Sequence, residues 1–302
     1  MLGRLFALIM EVTPQHAISR VIHGLSRWSW GPWKNLLIRS FRRLYQVNTG
    51  EAVNSDPGAY PSFNAFFTRA LAPGARTVDT TPNALLSPVD GAVSQIGAIT
   101  EGRLIQAKRR DFSLAALLGG DPAMAARFAD GAFATLYLSP RDYHRIHMPC
   151  AGELQQMLHV PGRLFGVSAP LVRHVPDLYA RNERLVCEFD TAFGPMAMVL
   201  VGAIGVGSIE TVWTGEVTPP RGQRIRNWDY HERPVTFAAG DEMGRFNLGS
   251  TVILLLPPQA SVRWDEGLAS ESTVRLGQSL ATYTSGGSES GLFPGEGDHG
   301  IE

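Results

Sequence analysis

The 302-residue sequence contains only two cysteines, Cys150 and Cys187, and they do not form a CxxC spacing. Two cysteines are too few for a disulfide framework, so the class of disulfide-stapled secreted domains is excluded. Both cysteines stand in apolar stretches, where a small buried thiol is the expected structure. This cysteine usage is compatible with a reducing cytoplasm.

The sequence has no excess of charge of either sign. It carries 27 Lys and Arg against 28 Asp and Glu, for a formal net charge of −1. A protein that binds nucleic acid through phosphates needs a strongly basic surface, so we expect no nucleic-acid partner. The charge is unevenly distributed, however, because residues 1–50 hold seven Lys or Arg and a single acid, Glu11.

Long apolar runs are also missing. The apolar stretch Leu5–Met10 is short and has no small-residue cleavage site after it, so it does not predict a secretory signal. The longest uncharged window, Thr191 to Ile209, contains Pro195 and four glycines. We interpret this window as two buried strands joined by glycine-rich turns, and not as a membrane-spanning helix.

Residues 1–60 are predicted to form amphipathic helices. Apolar residues recur at helical spacing in two runs, which are Leu2, Leu5, Phe6, Ile9 and then Ile18, Val21, Ile22, Leu25. Trp28, Trp30 and Trp33 follow, close to Lys34 and Arg39. Apolar and indole surface beside cations is typical of a helix that lies in the lipid headgroup layer. The alternative is a helical hairpin packed on its own domain or on a partner subunit.

Residues 61–283 are predicted to form the main domain, and its pattern is that of short strands. The predicted strands are Ala132–Leu138, Gly152–His159, Arg184–Asp190, Met196–Val201 and Thr251–Leu256. A tight turn is expected at Phe193-Gly194-Pro195. Helical patterns occur only at Ser113–Leu118 and Ala123–Phe128. The fold class is therefore α+β and mainly β: amphipathic N-terminal helices, then a sandwich or barrel-like core. Residues 284–302 are predicted to be a flexible tail.

Three segments of this domain supply an acid, a histidine and a hydroxyl. They contain Asp90, the pair His144 and His147, and Ser250. A base that removes a hydroxyl proton, oriented by an acid, is the minimum set that activates a weak nucleophile.

Each of these residues also has a structural interpretation. Asp90 precedes Gly91, which is typical of a turn. Ser250 could simply begin a strand, and no G-x-S-x-G motif surrounds it. Two histidines three residues apart could bind a metal on a helix. His144 and His147 instead follow a strand and a turn, and no further ligand is placed near them, so no metal site is predicted.

Four motifs in order along the chain resemble one family, the pyruvoyl-dependent phosphatidylserine decarboxylases of bacterial type. The motifs are Tyr137–Pro149, Ala180–Arg184, Val201–Trp213 and Leu248-Gly249-Ser250-Thr251. The resemblance covers about Phe63 to Pro257. It implies a carboxy-lyase that is made as a proenzyme and that converts phosphatidylserine to phosphatidylethanolamine and CO2.

The resemblance also implies how the cofactor forms. The chain is expected to cut itself between Gly249 and Ser250, giving a β chain of residues 1–249 and an α chain of residues 250–302. Ser250 becomes a pyruvoyl group, which forms a Schiff base with the substrate amine. By motif, Asp90, His147 and Ser250 are the self-cleavage triad. His144 places the substrate carboxylate or donates the proton. The two histidines could exchange these roles, and Asp90 could be only an orienting group.

The implied substrate is a membrane lipid, which accounts for the N-terminal helices. Basic residues there would be attracted to an anionic lipid surface by about 1 kcal/mol each. We therefore expect a peripheral protein on the cytoplasmic face of a bacterial cell membrane. A cluster of Phe63, Phe66 and Phe67 could form an apolar lip near the site or belong to the core. The resemblance also implies association of the α and β chains and a homodimer.

Two other functions fit the same residues. One is a serine hydrolase that acts on a lipid ester with Asp90, His147 and an intact Ser250. The other is a non-enzymatic membrane adaptor in which the histidines are structural. Neither of these alternatives requires the chain to cut itself.

Overall fold

A computed structural model describes residues 2–108, 110–205, 208–219, 222–249 and 251–284. Within these ranges the chain forms eight α-helices and two short 3₁₀ helices. The α-helices are α1 (Leu2–Val12), α2 (Gln15–Arg27), α3 (Gly31–Tyr45), α4 (Phe63–Phe67), α5 (Leu114–Leu117), α6 (Pro122–Phe128), α7 (Ala169–His174) and α8 (Leu178–Arg181). The 3₁₀ helices are Pro57–Ala59 and Pro258–Ala260.

The same part of the chain forms eighteen strands, all paired in antiparallel fashion. The strands are β1 (Ala84–Leu86), β2 (Gly91–Ala98), β3 (Arg103–Ala107), β4 (Arg110–Ser113), β5 (Ala132–Tyr137), β6 (Arg145–His147), β7 (Gly152–Val160), β8 (Arg184–Thr191), β9 (Gly194–Val201), β10 (Ser208–Thr211), β11 (Gly215–Thr218), β12 (Arg226–Asp229), β13 (Thr236–Phe237), β14 (Glu242–Asn247), β15 (Thr251–Leu256), β16 (Arg263–Trp264), β17 (Thr273–Val274) and β18 (Ser279–Thr282).

The largest sheet has nine strands, in the order β12-β7-β8-β9-β15-β5-β2-β17, with β13 also pairing with β7. A four-stranded sheet has the order β11-β10-β14-β6. The remaining sheets are β1-β18-β16 and the hairpin β3-β4. These sheets are open, so the core is sandwich-like and the barrel-like alternative is wrong.

Strand β15 lies near the middle of the large sheet, between β9 and β5, and all six of its residues are buried. Its side chains alternate between two hydrophobic cores. Ile253 and Leu255 face a core that the helices α1 and α5 to α8 complete. Val252 and Leu254 face a second core that the four-stranded sheet completes. Because both faces are covered, β15 is a continuous apolar run, as is typical of a central buried strand.

The N-terminal helices pack on this body. Buried Ala7 and Met10 join α1 to the helix-covered core. A separate cluster, called the aromatic cluster below, joins α3 to α4; its buried members are Ile38, Val47, Phe63, Phe66 and Phe67. The three phenylalanines of α4 are thus buried in the core. The prediction that they form an exposed apolar lip is wrong.

The outer face of α1 to α3 keeps large apolar side chains exposed. They are Leu8, Ile9, Val12, Val21, Leu25, Trp28, Trp30, Leu36 and Leu44. Trp28 stacks on Trp30 with ring centroids 5.5 Å apart. No helix in the described ranges is both long enough and apolar enough to cross a membrane. The tail at 284–302 falls outside the described residues except for Thr284.

Most predicted strands are confirmed, with boundaries that shift by one or two residues. Thr251–Leu256 matches β15, and Met196–Val201 begins two residues earlier, at Gly194. The predicted turn falls at residues 192–193, because Gly194 already pairs with Thr191. Cys150 and Cys187 are buried and free. The prediction that the main domain has only two helical segments is wrong, since α4, α7 and α8 are also helical.

Candidate active site

The candidate site is the junction between β14 and β15, where the chain passes from the four-stranded sheet to the nine-stranded sheet. Leu248 has a φ of 87° and Gly249 a φ of 40°, so two successive residues lie in the left-handed region. Such a conformation costs about 1–3 kcal/mol at a non-glycine residue. A Cβ on Gly249 would meet open space, so backbone conformation, and not crowding, favours glycine there. Ser250 lies outside the described residues.

Asn247, the last residue of β14, is held by three side-chain hydrogen bonds. Its amide nitrogen donates to Ser208 Oγ at 2.6 Å and to Glu210 Oε2 at 3.2 Å. Its oxygen accepts from Asn64 Nδ2 at 2.9 Å. Asn247 is buried, so these bonds fix the end of the strand immediately before the left-handed residues.

His144 is fully buried and neutral. Its Nδ1–H donates to the Asp142 carbonyl at 2.9 Å, which leaves the lone pair on Nε2. Nε2 has no hydrogen-bond partner among the described residues. The imidazole centroid lies 4.1 Å from that of the Phe67 ring. Burial lowers the pKa of His144 to about 3, so its ring carries no charge at neutral pH.

His147 is also presented as a neutral base. Its Nδ1–H donates to the Gly240 carbonyl at 2.7 Å, and its Nε2 accepts from the Tyr143 hydroxyl at 3.0 Å. Burial lowers the pKa of His147, and the Gly240 carbonyl partly offsets that effect. Burial also raises the pKa of Tyr143, so its hydroxyl keeps its proton for the bond to His147.

The Asp90 carboxylate is bound by a cation. Arg76 Nε donates to Oδ1 at 2.9 Å and to Oδ2 at 3.2 Å, and Arg76 Nη2 also donates to Oδ2. The Leu276 amide donates to Oδ1 at 2.9 Å. Among the described residues, these are the hydrogen bonds of Asp90, and none joins it to His147. The two segments are nevertheless adjacent, because the His147 amide donates to the Pro88 carbonyl at 2.9 Å.

The strand register brings the predicted segments to one end of the fold. Ala92 and Thr251 both pair with Tyr137, from opposite sides of β5. These neighbours lie roughly 10 Å apart, since adjacent strands are about 4.8 Å apart. Along β14, the Phe246 amide donates to the His144 carbonyl, whereas His147 pairs with Glu242. The backbone of His144 is therefore closer to the junction than that of His147.

An apolar pocket of about 280 Å³ opens beside Gly249. It is lined by Met10, Tyr137, Leu138, Pro140, Gly166, Val167, Ser168, Leu171, Ala203, Ile204 and Gly249. Two of its walls are tied together by the buried side chain of Asn182. That side chain accepts from the Phe165 amide and donates to the Phe165 and Gly202 carbonyls, each at 2.9 Å. Met10 makes the N-terminal helix α1 part of the pocket.

Sequence reasoning missed several residues of this site. Tyr143 and Asn182 lie inside motifs that were recognised, but no role was assigned to them. Arg76 lies 14 residues before its partner Asp90, and no motif in the sequence marks the two residues as a pair. Arg69 is buried, and its Nη2 donates to the Arg141 and Asp142 carbonyls at 3.2 and 3.4 Å. Burial lowers the pKa of Arg69.

The fold and the junction together define the class: a β-rich protein whose candidate site is built around the left-handed residues Leu248 and Gly249, where the chain passes between two sheets. An apolar pocket adjoins Gly249, and two histidines lie on or beside β6, the strand that pairs with β14. The catalytic assignments for Asp90, His144, His147 and Ser250 stay predictions.

Comparison with known proteins identifies the family. A family model described as phosphatidylserine decarboxylase matches residues 63–282, and one described as PSD matches residues 5–46. Three similar curated proteins are each named phosphatidylserine decarboxylase proenzyme. The one from Methylococcus capsulatus is 54% identical over 279 residues, which cover 92% of this chain and 96% of that protein. The chain therefore belongs to the phosphatidylserine decarboxylase family, as the motifs predicted.

The other two relatives agree. The Azotobacter vinelandii protein is 55% identical over 284 residues, covering 93% of this chain and 98% of that protein. The Alkalilimnicola ehrlichii protein is 57% identical over 255 residues, covering 84% and 88%. The two ranges that the family models match include the junction, both histidines and most of the N-terminal helices.

The buried, neutral state of His144 predicts a specific pH dependence of stability. An unfolded chain binds a proton at residue 144 near pH 6.5, and the folded protein excludes it, so stability is lost as the pH falls. In a Ser250→Ala background, which prevents the predicted cleavage, the free energy of unfolding is measured in urea near pH 7.5 and pH 5.5. Substituting His144→Gln should reduce the acid-induced loss by about 1.4 kcal/mol.

The matched control for this measurement is His174, which has no carboxylate partner among the described residues and whose Nδ1–H donates to the Pro170 carbonyl. In the same background, His174→Gln should retain the full loss of stability between the two pH values. An acid-induced loss in His144→Gln equal to that of the parent protein would contradict a neutral, buried His144.

Proposed function

We propose that this chain is a proenzyme that cuts itself between Gly249 and Ser250, converts Ser250 into a pyruvoyl group, and decarboxylates phosphatidylserine to phosphatidylethanolamine. The observation that carries the proposal is the family match over residues 63–282, a range that contains Leu248, Gly249 and Ser250. The left-handed backbone of Leu248 and Gly249 is a second observation that supports it. The relatives named as proenzymes support self-processing.

The proposed cleavage is an acyl shift within the chain. The Ser250 hydroxyl oxygen bonds to the carbonyl carbon of Gly249, the bond from that carbon to the Ser250 nitrogen breaks, and the hydroxyl proton moves to the nitrogen. The resulting ester is then eliminated: residue 250 loses its α-proton, and Gly249 leaves as a carboxylate. The dehydroalanine that remains tautomerises and takes up water, which releases ammonia and leaves the ketone.

The surroundings of the junction fit this conversion. Gly249 has no Cβ to obstruct approach to its carbonyl, and the unpartnered Nε2 of a neutral histidine is buried nearby, at His144. Once formed, a pyruvoyl group supplies a carbonyl that acts as an electron sink for a substrate amine. The apolar pocket beside Gly249 would hold the part of the lipid next to the headgroup and exclude water.

We assign Asp90, His147 and Ser250 to the cleavage triad and His144 to the substrate carboxylate or the proton returned to product. Support for His147 comes from its lone pair on Nε2 and from its backbone bond beside the Asp90 segment. The exchanged assignment, in which His144 takes the Ser250 proton, is supported by the register along β14. In either assignment the Asp90 side chain is held by Arg76.

The exposed apolar face of α1 to α3 supports docking on a lipid surface. Trp28 and Trp30 are 50% and 56% exposed, and Leu44 of the same helical region is 73% exposed. We propose a peripheral association with an anionic bilayer, on the cytoplasmic face of a bacterial cell membrane. Docking of the enzyme avoids extraction of the lipid, which costs about 0.8 kcal/mol per CH₂.

The α and β chains would stay associated, because β15 pairs with strands on both sides. The homodimer stays a prediction.

Substitution of Ser250 by alanine is expected to abolish both cleavage and decarboxylation, because it removes the nucleophile and the precursor of the ketone. Denaturing gels measure the first, and release of labelled CO2 from phosphatidylserine vesicles measures the second. Ser270→Ala, at an exposed serine, is the matched control and should behave as the wild type. A wild-type chain that stays uncut, releases no CO2 and reacts with serine-directed phosphonates would instead identify a hydrolase. A Ser250→Ala variant indistinguishable from wild type would favour the adaptor.

Substitution of each histidine by alanine should distinguish the role of His147 from that of His144. We expect His147→Ala to remain a single chain, because the cleavage base is gone. We expect His144→Ala to be cut, but its rate of decarboxylation should be lower than that of the wild type by a factor of about 100 or more. Loss of a proton-transfer group has an effect of this size. Gels and CO2 release measure the two steps. The opposite pattern would show that the roles are exchanged.

The double variant Trp28→Ser, Trp30→Ser should bind vesicles of mixed phosphatidylglycerol and phosphatidylcholine about tenfold more weakly or worse, since exposed indole surface no longer enters the lipid. Co-sedimentation with vesicles measures this. The matched control is Ile105→Ser, Val212→Ser, at side chains 47% and 48% exposed away from the N-terminal helices. Equal binding by the two double variants would move the lipid contact elsewhere.

A further inference from the structure

Leu248 has an unusual backbone conformation for its residue type. Among the described residues, eight that are not glycine have a positive φ, and seven of these are polar or charged. Those seven are Gln46, Asn83, Glu101, Asp130, Asp177, Ser261 and Glu271. Leu248 is the apolar member of the set, and its φ of 87° is the largest. A branched apolar residue enters this region only when its surroundings enforce it.

The surroundings of Leu248 fix the chain on both sides of it. Asn247 is anchored by its bonds to Asn64, Ser208 and Glu210. Thr251 is anchored by pairing with both Tyr137 and Val201. The residues between these two anchors must cross from one sheet to the other, so the backbone has few conformations available.

The side chain of Leu248 provides a third anchor. It packs against the aromatic cluster of Ile38, Val47, Phe63, Phe66 and Phe67, which α3 and α4 supply. A glycine at 248 would permit a φ of 87° without strain, but it would have no side chain with which to hold it. The packing of its side chain therefore fixes the position of Leu248, although its backbone conformation is unfavourable.

We infer that Leu248 is a positioning residue for self-cleavage, an inference that rests on the proposed function. Its packing against the aromatic cluster holds the following Gly249 carbonyl in a single orientation towards the attacking hydroxyl. Orientation of reacting groups accelerates intramolecular steps strongly, so loss of the anchor slows the shift. The N-terminal helices are then part of the cleavage apparatus as well as a lipid-docking surface.

Self-cleavage and turnover of the mature enzyme should depend on Leu248 to different extents. Before the cut, Leu248 is held between two fixed strands in a left-handed conformation. After the cut, Leu248 and Gly249 are the free end of the β chain, and the constraint across the junction no longer exists. A change at Leu248 should therefore slow cleavage by a larger factor than it changes the turnover of the mature enzyme.

Three substitutions test this with full-length protein made by cell-free translation, in which the first-order rate of cleavage is followed by gel and intact mass. Leu248→Ala removes the anchor, and Leu248→Val shortens it while its β-branch resists positive φ; each should slow cleavage by about tenfold or more. Leu248→Met keeps an unbranched anchor of similar length and should stay within about threefold of wild type. Leu268→Ala, at a half-buried leucine away from the junction, is the matched control and should cleave at the wild-type rate.

Two further measurements complete the test. Thermal unfolding in the Ser250→Ala background establishes that each variant folds. For slow variants left until fully cut, kcat on phosphatidylserine vesicles should fall by a much smaller factor than the rate of cleavage does. Wild-type cleavage rates in both Leu248→Ala and Leu248→Val, or a kcat that falls by as much as the rate of cleavage, would overturn the inference alone. A wild-type chain that is never cut would overturn the proposed function itself.

Discussion

The passage of the chain from one sheet to another between Asn247 and Thr251 is the constraint on which the candidate site depends. Strand β14 is fixed in the four-stranded sheet and β15 in the centre of the nine-stranded sheet. Only three residues connect them, and the two that are described, Leu248 and Gly249, both have positive φ. The surrounding architecture therefore strains the backbone at Leu248. The bond that the proposed function breaks, between Gly249 and Ser250, lies one residue further along the chain.

Burial accounts for the neutral state of the two histidines, His144 and His147. His144 and His147 both donate Nδ1–H to a backbone carbonyl, at Asp142 and Gly240, which fixes the tautomer and leaves the lone pair on Nε2. Removal from water keeps both rings neutral, and for His144 it lowers the pKa to about 3. A neutral imidazole can accept a proton at Nε2. In His144 that nitrogen has no partner among the described residues, whereas in His147 it accepts from the Tyr143 hydroxyl.

Much of the fold could be predicted from the sequence because its central strands are buried on both faces. Thr251–Leu256 is a continuous apolar run for that reason, and its boundaries were predicted correctly. Helix α4 was missed because five residues are too few to show a helical period, although Ser62 caps it.

The polar framework of the site could not be predicted, because its partners are distant in sequence. Asn64 and Asn247 are 183 residues apart, and only the folded chain brings their side chains together. Arg76 binds Asp90 from a separate segment, and Asn182 ties two loops that enclose the pocket. The motifs located the candidate residues, whereas the contacts that orient them come from tertiary structure.

The chemical state of residue 250 in purified wild-type protein tests the central claim most directly. Intact mass and fragment sequencing are applied to material whose decarboxylation of phosphatidylserine has been measured. We predict two polypeptides, residues 1–249 and 250–302, with the smaller one blocked to amine-directed sequencing and lighter by one ammonia than a fragment beginning with serine. Fully active protein in which residue 250 is still a serine within an unbroken chain would contradict the account.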